Sequence, residues 1–310
     1  MYKGNQVAIV VPAHNEALHI CRVIETLPDF VDRIIVVDDC SKDGTSEAAL
    51  SCNDPRLLVL RTPSNQGVGG AVVLGYRKAL ELESDIVVKM DGDGQMDPEY
   101  LSPLLDAIVD HGCDYAKGNR FLAGDLGQMP KRRLIGNIGL TFLTKLASGY
   151  WHIFDPQNGY TAIKSEALRT LDVDAIHKRF FFENDILVHL NLLNSRVKDV
   201  AIPARYGEEV SDLSLIGTSL TFPRLLLRRY CRRIYQKYVL RDFSPIALFL
   251  FAGTILFLWG TILGSYIWIK SYFTQHPTST GTIMLSLLPL ILGFQLLLQG
   301  FVMDIQETPK

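Results

Sequence analysis

The sequence contains few cysteines and no closely spaced pair of them. Its 310 residues include five, and none lies in a C-x-x-C arrangement. Zinc sites and redox motifs usually need such spacing, and small secreted domains need a dense disulfide framework. The scattered positions therefore predict free thiols in a reducing compartment. The five are Cys21, Cys40, Cys52, Cys113 and Cys231.

A strong charge, a leader pattern and a histidine motif are also lacking. The formal net charge is −2, so composition favours no charged partner, and we expect no nucleic acid. Residues 1–6 are polar and lead into a short apolar run, which is not the pattern of a signal peptide. No H-x-x-x-H spacing occurs, and we interpret His14, His152 and His189 as structural.

The first two thirds of the chain contain short apolar runs separated by turns and helical stretches. Each run predicts a buried strand. Strands alternating with helices predict an α/β fold with a mostly parallel sheet and right-handed crossovers. The predicted strands are residues 7–11, 33–37, 57–60, 86–90, 115–118, 160–163 and 197–203.

Two carboxylates, Asp91 and Asp93, follow the predicted strand at residues 86–90. Glycines at positions 92 and 94 permit a sharp turn there. Open α/β sheets bind ligands at the carboxyl ends of their strands. Carboxylate oxygens at this spacing suit Mg²⁺ or Mn²⁺ carrying a diphosphate. An ordinary acidic turn has the same sequence, so the pair alone does not decide between a metal site and a turn.

Two other strand ends carry polar or glycine-rich turns. Asp38 and Asp39 end the second strand, where a carboxylate can accept hydrogen bonds from a base or ribose, although a solvated turn is the alternative. Gly67, Gly69 and Gly70 precede a predicted helix. Glycines allow close backbone approach, and a helix N-terminus favours anions. The match to G-x-G-x-x-G is loose because residue 72 is Val.

Four motifs in order resemble the inverting glycosyltransferase family 2, which has the GT-A fold. They are Pro12-Ala13-His14-Asn15-Glu16, Val37-Asp38-Asp39 with Ser41, Asp43, Gly44 and Thr45, Asn65 with Gly67, Gly69 and Ala71, and Asp91-x-Asp93. This resemblance covers roughly residues 7–206, and Cys40 departs from it where Gly is usual. It implies that Asp91, Asp93 and Gln95 form a site for Mg²⁺ or Mn²⁺. It also implies that the nucleotide sugar is bound by Pro12, Asn15, Glu16, Asp38, Asp39, Gly67 and Asp91.

The middle of the chain carries candidates for binding an acceptor. Arg120 follows the fifth predicted strand, and Arg132 and Arg133 precede an apolar stretch with helical spacing at Ile138 and Phe142. This stretch is either a surface helix with a solvated basic start or a helix on a bilayer whose arginines reach a lipid phosphate.

Three further elements resemble the polyisoprenyl-phosphate glycosyltransferases of the same family. The segment from Asp155 to Tyr160 resembles their Asp-x-x-x-Gly-Phe element, with Tyr in place of Phe, and Phe182-Glu183 resembles an aromatic-acidic pair. Arg132 and Arg133 are candidates for binding the acceptor phosphate, and the resemblance implies the same role for Arg205. The resemblance also implies catalytic roles for Asp93, Asp155 and Arg120, with Asp155 orienting acceptor or sugar and no general base assigned.

The last seventy residues are strongly apolar and follow a basic stretch. Residues 222–241 place apolar side chains on one helical stripe flanked by arginines, which is typical of a helix resting on anionic headgroups. At about 1.5 Å per residue, the uncharged runs 245–269 and 283–302 can each cross a hydrocarbon core of roughly 30 Å. The basic stretch predicts that the catalytic domain and both termini face the cytoplasm. The family resemblance implies a bacterial cytoplasmic membrane.

The predicted domains follow from these patterns. They are a catalytic domain at 1–215, a juxtamembrane helix at 216–243, a transmembrane hairpin at 244–303 and a tail at 304–310. Lateral packing of the two-helix anchor would allow a homo-oligomer.

These features together predict transfer of a sugar from a nucleotide sugar to a polyprenyl phosphate, whose head lies at the membrane surface. The resemblance favours UDP-glucose as the first choice of donor and GDP-mannose as the second.

Three alternative functions fit the sequence less well. A processive polysaccharide synthase would be expected to carry a Gln-x-x-Arg-Trp motif, which the sequence lacks. A sugar-1-phosphate nucleotidyltransferase would begin with a Gly-rich turn, which residues 12–16 are not. A membrane-anchored nucleotide sensor would require the acidic pair to be vestigial.

Overall fold

The computed structural model describes residues 1–122, 131–203 and 215–309 of the chain. Within these ranges the strands form one seven-stranded sheet in the order β3-β2-β1-β4-β6-β5-β7. This confirms the predicted α/β class and the position of every predicted strand. The strands are β1 (Val7–Ala13), β2 (Arg33–Asp38), β3 (Leu57–Arg61), β4 (Ile86–Lys89), β5 (Tyr115–Asn119), β6 (Thr161–Lys164) and β7 (Val197–Ala201).

The sheet is parallel except at β6, which runs antiparallel to both of its neighbours, β4 and β5. In this register Thr161 lies opposite Lys89 on β4 and opposite Lys117 on β5. Because β6 runs backwards, the residues that precede it lie at the edge where β4 and β5 end. The segment from Asp155 to Tyr160 therefore reaches the edge that carries the acidic pair.

Helices cover both faces of the sheet, so alternate residues of each central strand enter two separate cores. In β1, Val7, Ile9 and Val11 pack with α1, α2 and α4, while Ala8 and Val10 pack with α3, α6 and α7. A strand buried on both faces has a continuous apolar sequence, which is why periodicity identified these strands. The helices of this part are α1 (Ile20–Glu25), α2 (Thr45–Ser51), α3 (Val68–Glu81), α4 (Leu101–Val109), α5 (Lys131–Ser148), α6 (Ser165–Thr170), α7 (Phe182–Leu192) and α8 (Leu215–Tyr235).

The chain forms two compact units, residues 1–229 with 309–310, and residues 230–308. The second contains the end of α8, a π-helical turn at Gln236–Arg241, and the long helices α9 (Pro245–Thr274) and α10 (Thr280–Gln306). Both long helices are apolar enough to cross a membrane, with mean hydropathy of 2.3 and 2.0. Only 22% and 11% of their most apolar windows are buried, unlike the core helices of a soluble protein. The domain boundaries proposed from the sequence stay predictions.

Glycines set the close packing of α9 against α10. A Cβ at Gly260 would lie 2.6 Å from the backbone nitrogen of Leu290, and a Cβ at Gly253 would lie 2.9 Å from that of Leu297. The later residue of α9 contacts the earlier residue of α10, so the two helices run antiparallel. In a membrane the hydrophobic effect does not drive helices together, so association depends on close packing, which small residues permit.

The expectation of free thiols throughout the chain is wrong for Cys21 and Cys52, which form a disulfide. Cys21 lies on α1, and Cys52 directly follows α2. These helices pack side by side and bring the two Cα atoms within 5.9 Å. Sequence spacing carries no signal for this pairing, because the two residues are 31 positions apart. Cys40, Cys113 and Cys231 are free, as predicted.

Candidate active site

Asp91 and Asp93 lie together at the carboxyl end of β4, as predicted, and both are partly exposed. Gly92 is buried between them, where a Cβ would lie 3.3 Å from the side chain of Ala13. The Oδ1 atom of Asp93 accepts a hydrogen bond of 2.9 Å from the backbone N–H of Gln95. This local turn keeps the two carboxylates close together at the end of the strand.

Lys89 is a member of this site that the sequence analysis did not identify. Its side chain is 1% exposed, and its Nζ lies 2.8 Å from Oδ1 of Asp91 and 3.1 Å from Oε1 of Glu183. Burial alone would lower the pKa of Lys89, but the two carboxylates outweigh burial and raise it. Burial raises the pKa of Glu183, and Lys89 opposes that shift. The sequence contained one signal for this role, since Lys89 is the only charged residue in the apolar run 86–90.

The acidic pair fits a hard divalent ion that is shared with a substrate. Within the described ranges, no cluster of three or more His, Cys, Asp or Glu side chains could hold a metal by itself. Mg²⁺ is commonly bound by one or two carboxylates together with substrate phosphate oxygens. Asp91 and Asp93 supply that donor set, and Lys89 offsets part of the negative charge of Asp91.

Gly159 approaches this group from the turn before β6. A Cβ added there would overlap Nζ of Lys89 and lie 2.8 Å from Oδ2 of Asp91. The glycine of the Asp155–Tyr160 segment therefore leaves room for the contact between Lys89 and Asp91.

Gly159→Ala is expected to destabilise the protein by about 1–3 kcal/mol, because the added methyl group overpacks a buried site. The free energy of unfolding of the purified protein measures this. Gly139→Ala is the matched control, since a Cβ at Gly139 has no atom within 4 Å and alanine favours a helix. Equal stability of Gly159→Ala and wild type would contradict the packing described here.

Asp38 and Asp39 are almost fully buried and bind their own turns. Asp38 accepts hydrogen bonds from the backbone N–H of Ser41 and from the hydroxyl of Ser46. Asp39 accepts 2.8 Å and 2.7 Å bonds from the backbone N–H groups of Gln66 and Gly67. Each carboxylate therefore holds a loop at the carboxyl edge, and contact with a nucleotide stays a prediction for both.

Gly67, which directly precedes α3, and Gly69, in its first turn, have a packing role in the structure. A Cβ at Gly67 would lie 2.8 Å from the carbonyl oxygen of Lys178, and a Cβ at Gly69 would lie 2.6 Å from that of His177. The N–H of Gly70 donates to the carbonyl of Lys178. The backbone of residues 177–178 therefore lies where the sequence analysis expected an anion to approach these glycines. Binding of the donor by Gly67 stays a prediction.

The loop after β1 is tied to the loop after β2. The N–H groups of Asn15 and Glu16 donate to the hydroxyls of Ser41 and Thr45, both at 2.9 Å. Pro12 is buried in β1 and Asn15 is exposed. Cys40 has a φ of 61°, a left-handed conformation that glycine adopts without strain. Cys40 therefore adopts a backbone conformation that would suit the glycine expected from the resemblance.

Asp155 and Arg120, two of the predicted catalytic residues, form an ion pair with each other. Asp155 is 3% exposed and accepts bonds of 2.7 Å from Nε and from a terminal nitrogen of Arg120. Burial alone would raise the pKa of Asp155, but Arg120 and then Lys117 lower it below its ordinary value. A carboxylate that uses both oxygens in this pair orients Arg120 and is poorly placed to act as a base.

Helix α5 exposes apolar side chains next to this ion pair. Ile138 is 59% exposed and Phe142 is 53% exposed. The hydroxyl of Thr144 on its opposite side donates to Oδ1 of the buried Asn184 on α7. Exposed apolar residues favour the bilayer interpretation over the solvated surface helix.

The predicted phosphate-binding arginines lie largely outside the described part of the site. Arg132 and Arg133 fall in the first turn of α5, and the structure describes their backbone but not their side chains. Arg205 lies outside the described residues. The roles of these three residues stay predictions.

Comparison with known sequences gives a consistent set of relatives. The Glycosyl transferase family 2 model matches residues 8–172. The undecaprenyl-phosphate mannosyltransferase of Micrococcus luteus is 32% identical, with 69% of this chain and 91% of the relative covered. The polyprenol monophosphomannose synthase of Mycolicibacterium smegmatis is 33% identical, with 68% and 81% covered. The UDP-N-acetylglucosamine–dolichyl-phosphate N-acetylglucosaminyltransferase of Methanococcus voltae is 30% identical, with 64% and 86% covered.

Among solved structures, the fold is similar to that of glucosyl-3-phosphoglycerate synthase from Mycobacterium tuberculosis in complex with Mn²⁺, UDP and glucosyl-3-phosphoglycerate. The TM-score is 0.54 at 21% identity, with 74% of this chain and 80% of that chain covered. This similarity confirms the predicted GT-A type of fold.

Proposed function

Because the chain belongs to glycosyltransferase family 2, we propose that it transfers a sugar from a nucleotide sugar to a polyprenyl phosphate at a membrane surface. One observation carries the proposal. An acidic pair lies at the ligand-binding edge of the sheet in a chain that also has two helices long enough to cross a membrane. The names of the relatives support a polyprenyl or dolichyl phosphate as the acceptor.

Asp91 and Asp93 would hold Mg²⁺ or Mn²⁺, with Gln95 beside them. The bound ion would offset the negative charge of the departing nucleoside diphosphate. Lys89 would keep Asp91 in place from inside the sheet. Pro12 lies near the end of the neighbouring strand β1, and Asn15 and Glu16 lie on the loop after it, where the nucleoside would be bound.

The acceptor supplies its own nucleophile. A phosphate monoester has a second pKa near 6, so it is largely dianionic at neutral pH and needs no strong base. The enzyme must instead hold this anion in line with the anomeric carbon. Arg120, which Asp155 orients, is 27% exposed and would bind the phosphate. On sequence grounds, Arg132, Arg133 and Arg205 would contribute further cations. In-line attack inverts the configuration of the sugar.

UDP-glucose is our first choice of donor and GDP-mannose the second. The relatives whose names specify mannosyl or N-acetylglucosaminyl transfer make GDP-mannose and UDP-N-acetylglucosamine necessary members of any donor panel. Among alternatives, a processive polysaccharide synthase stays less favoured, because two helices make a poor polymer channel.

We further propose that α9 and α10 anchor the enzyme in the bacterial cytoplasmic membrane. The basic residues that precede α9 favour a cytoplasmic position for its start. Asp304 near the end of α10 pairs with Arg233 before α9, so the hairpin begins and ends on one side. A cytoplasmic catalytic domain and C-terminus, and a possible homo-oligomer, follow as expectations.

Purified protein in mixed micelles with undecaprenyl phosphate tests the activity. It is incubated with radiolabelled UDP-glucose, GDP-mannose or UDP-N-acetylglucosamine, and the label is partitioned into an organic phase. We expect a labelled lipid with one donor, its loss with a chelator and its recovery with Mn²⁺ or Mg²⁺. Labelled polymer, or no organic-phase label with any donor, would overturn the proposal.

Arg132→Ala and Arg133→Ala are each expected to raise the KM for the lipid acceptor more than the KM for the sugar nucleotide. The physical reason is that each substitution removes a cation that we propose contacts the acceptor phosphate. Steady-state kinetics with each substrate varied in turn measure the two constants. A larger effect on the sugar-nucleotide KM would move both arginines out of the acceptor site.

A further inference from the structure

A buried lysine and aspartate lie beneath the turn that carries Asp155. Lys117 on β5 and Asp199 on β7 are partners in the parallel register, so their side chains point to the same face of the sheet. Lys117 is about 1% exposed, and its Nζ lies 3.5 Å from Oδ1 of Asp199. A charged pair inside a sheet is costly to bury, so its retention needs a reason.

The pair forms hydrogen bonds with both carbonyl and N–H groups of the turn backbone. Nζ of Lys117 donates to the carbonyls of Phe154 at 2.8 Å, Asp155 at 2.6 Å and Gly118 at 3.0 Å. These three acceptors match the three N–H donors of an ammonium group. Oδ2 of Asp199 accepts a 2.7 Å bond from the backbone N–H of Phe154. Lysine thus holds the carbonyls of the turn, and aspartate holds an N–H.

Asp155, whose carbonyl Lys117 binds, has an unfavourable backbone conformation. Asp155 has a φ of 49°, in the left-handed region that non-glycine residues rarely adopt. Such conformations cost on the order of 1–3 kcal/mol and persist only where surrounding contacts enforce them. In this conformation the carboxylate meets the backbone N–H, Nε and a terminal nitrogen of Arg120.

We propose that Lys117 and Asp199 form a positioning pair that holds the Asp155 turn and, through Asp155, aims Arg120 at the phosphate of the acceptor. The proposal rests on the proposed function, since that function assigns the acceptor to Arg120. Neither residue touches a substrate. Their effect passes through one backbone turn and one ion pair.

Lys117→Met tests the proposal by steady-state kinetics with undecaprenyl phosphate and the preferred sugar nucleotide. We expect the acceptor KM to rise about tenfold, as for a small misplacement of a binding group, and the sugar-nucleotide KM to change less than about twofold. In an Arg120→Ala background, Lys117→Met should add nothing further, because residues that act in series are not additive. Asp199→Asn keeps the shape of the aspartate and is expected to raise the acceptor KM about threefold, as a milder change of the same kind.

Arg56→Met is the matched control. Arg56 also pairs with an aspartate, Asp54, and donates to a backbone carbonyl, that of Pro28, but it lies just before β3 and away from the site. The acceptor KM of Arg56→Met should equal that of wild type.

An unchanged acceptor KM in folded Lys117→Met would overturn the inference, and so would a full effect in the Arg120→Ala background. If Lys117→Met does not fold, Asp199→Asn decides by the same criteria. Inactive wild type would overturn the proposed function and this inference with it, whereas active wild type with unaffected variants would overturn the inference alone.

Discussion

Asp93→Ala is expected to abolish sugar transfer while leaving folding and membrane insertion intact. The substitution removes one of the two carboxylates proposed to hold the divalent ion. Stabilisation of a leaving group by a bound ion is worth several kcal/mol, so a loss of about 100-fold or more in kcat follows. The cost to folding is small, because the Asp93 side chain is partly exposed and its bond to Gln95 is local. A net loss of about 1 kcal/mol is typical of one such hydrogen bond.

The measurement is single-turnover formation of labelled lipid by purified protein, with thermal unfolding recorded for the same preparation. Asp110→Ala is the control, because this exposed carboxylate forms its ion pair with Lys3 at the surface. Its activity should equal that of wild type. Normal turnover by Asp93→Ala would remove the metal role from the acidic pair.

Arg233→Met is expected to destabilise the membrane unit by about 3–5 kcal/mol, which is typical when one partner of a buried ion pair is removed. Arg233 is fully buried, and its two terminal nitrogens lie 2.7 Å and 2.8 Å from the two carboxylate oxygens of Asp304. The hydroxyl of Tyr238 donates to the same carboxylate at 2.6 Å. Without the arginine, the buried Asp304 carboxyl group loses the two hydrogen bonds that it accepts from Arg233.

Unfolding of the detergent-solubilised protein, followed by denaturant titration, measures this effect. Arg232→Met is the matched control, because Arg232 is the exposed neighbour of Arg233 and its loss should change stability by less than about 0.5 kcal/mol. The double variant Arg233→Met/Asp304→Leu should recover most of the loss, since apolar residues can replace a buried pair. Equal stability of the Arg233→Met and Arg232→Met proteins would show that the ion pair between α8 and α10 does not stabilise this part of the protein.

Several features of the site could be predicted because each depends on residues close together in sequence. Asp91 and Asp93 come directly after one strand, and every strand of a parallel sheet places its next residues at the carboxyl edge. The apolar lengths of α9 and α10 likewise required only local composition. The helices extend beyond the uncharged runs 245–269 and 283–302, since α9 spans Pro245–Thr274 and α10 spans Thr280–Gln306.

Other features depend on residues far apart in sequence. The disulfide of Cys21 with Cys52 required two helices to pack side by side. Lys117 and Asp199 are 82 residues apart and meet only because β5 pairs with β7 in one register. Arg120 and Asp155 were each assigned to catalysis, but their pairing depends on the antiparallel course of β6.

The sequence by itself determined the α/β architecture, the acidic pair at its ligand-binding edge and the apolar hairpin, because burial and turn formation depend on local patterns of residues. Only the tertiary structure decided which charges meet. Lys89 lies beside Asp91 and Glu183, and Lys117 beside Asp199, through strand register and helix packing. The free energy of a buried charge depends on its partners in space, and a linear pattern does not specify them.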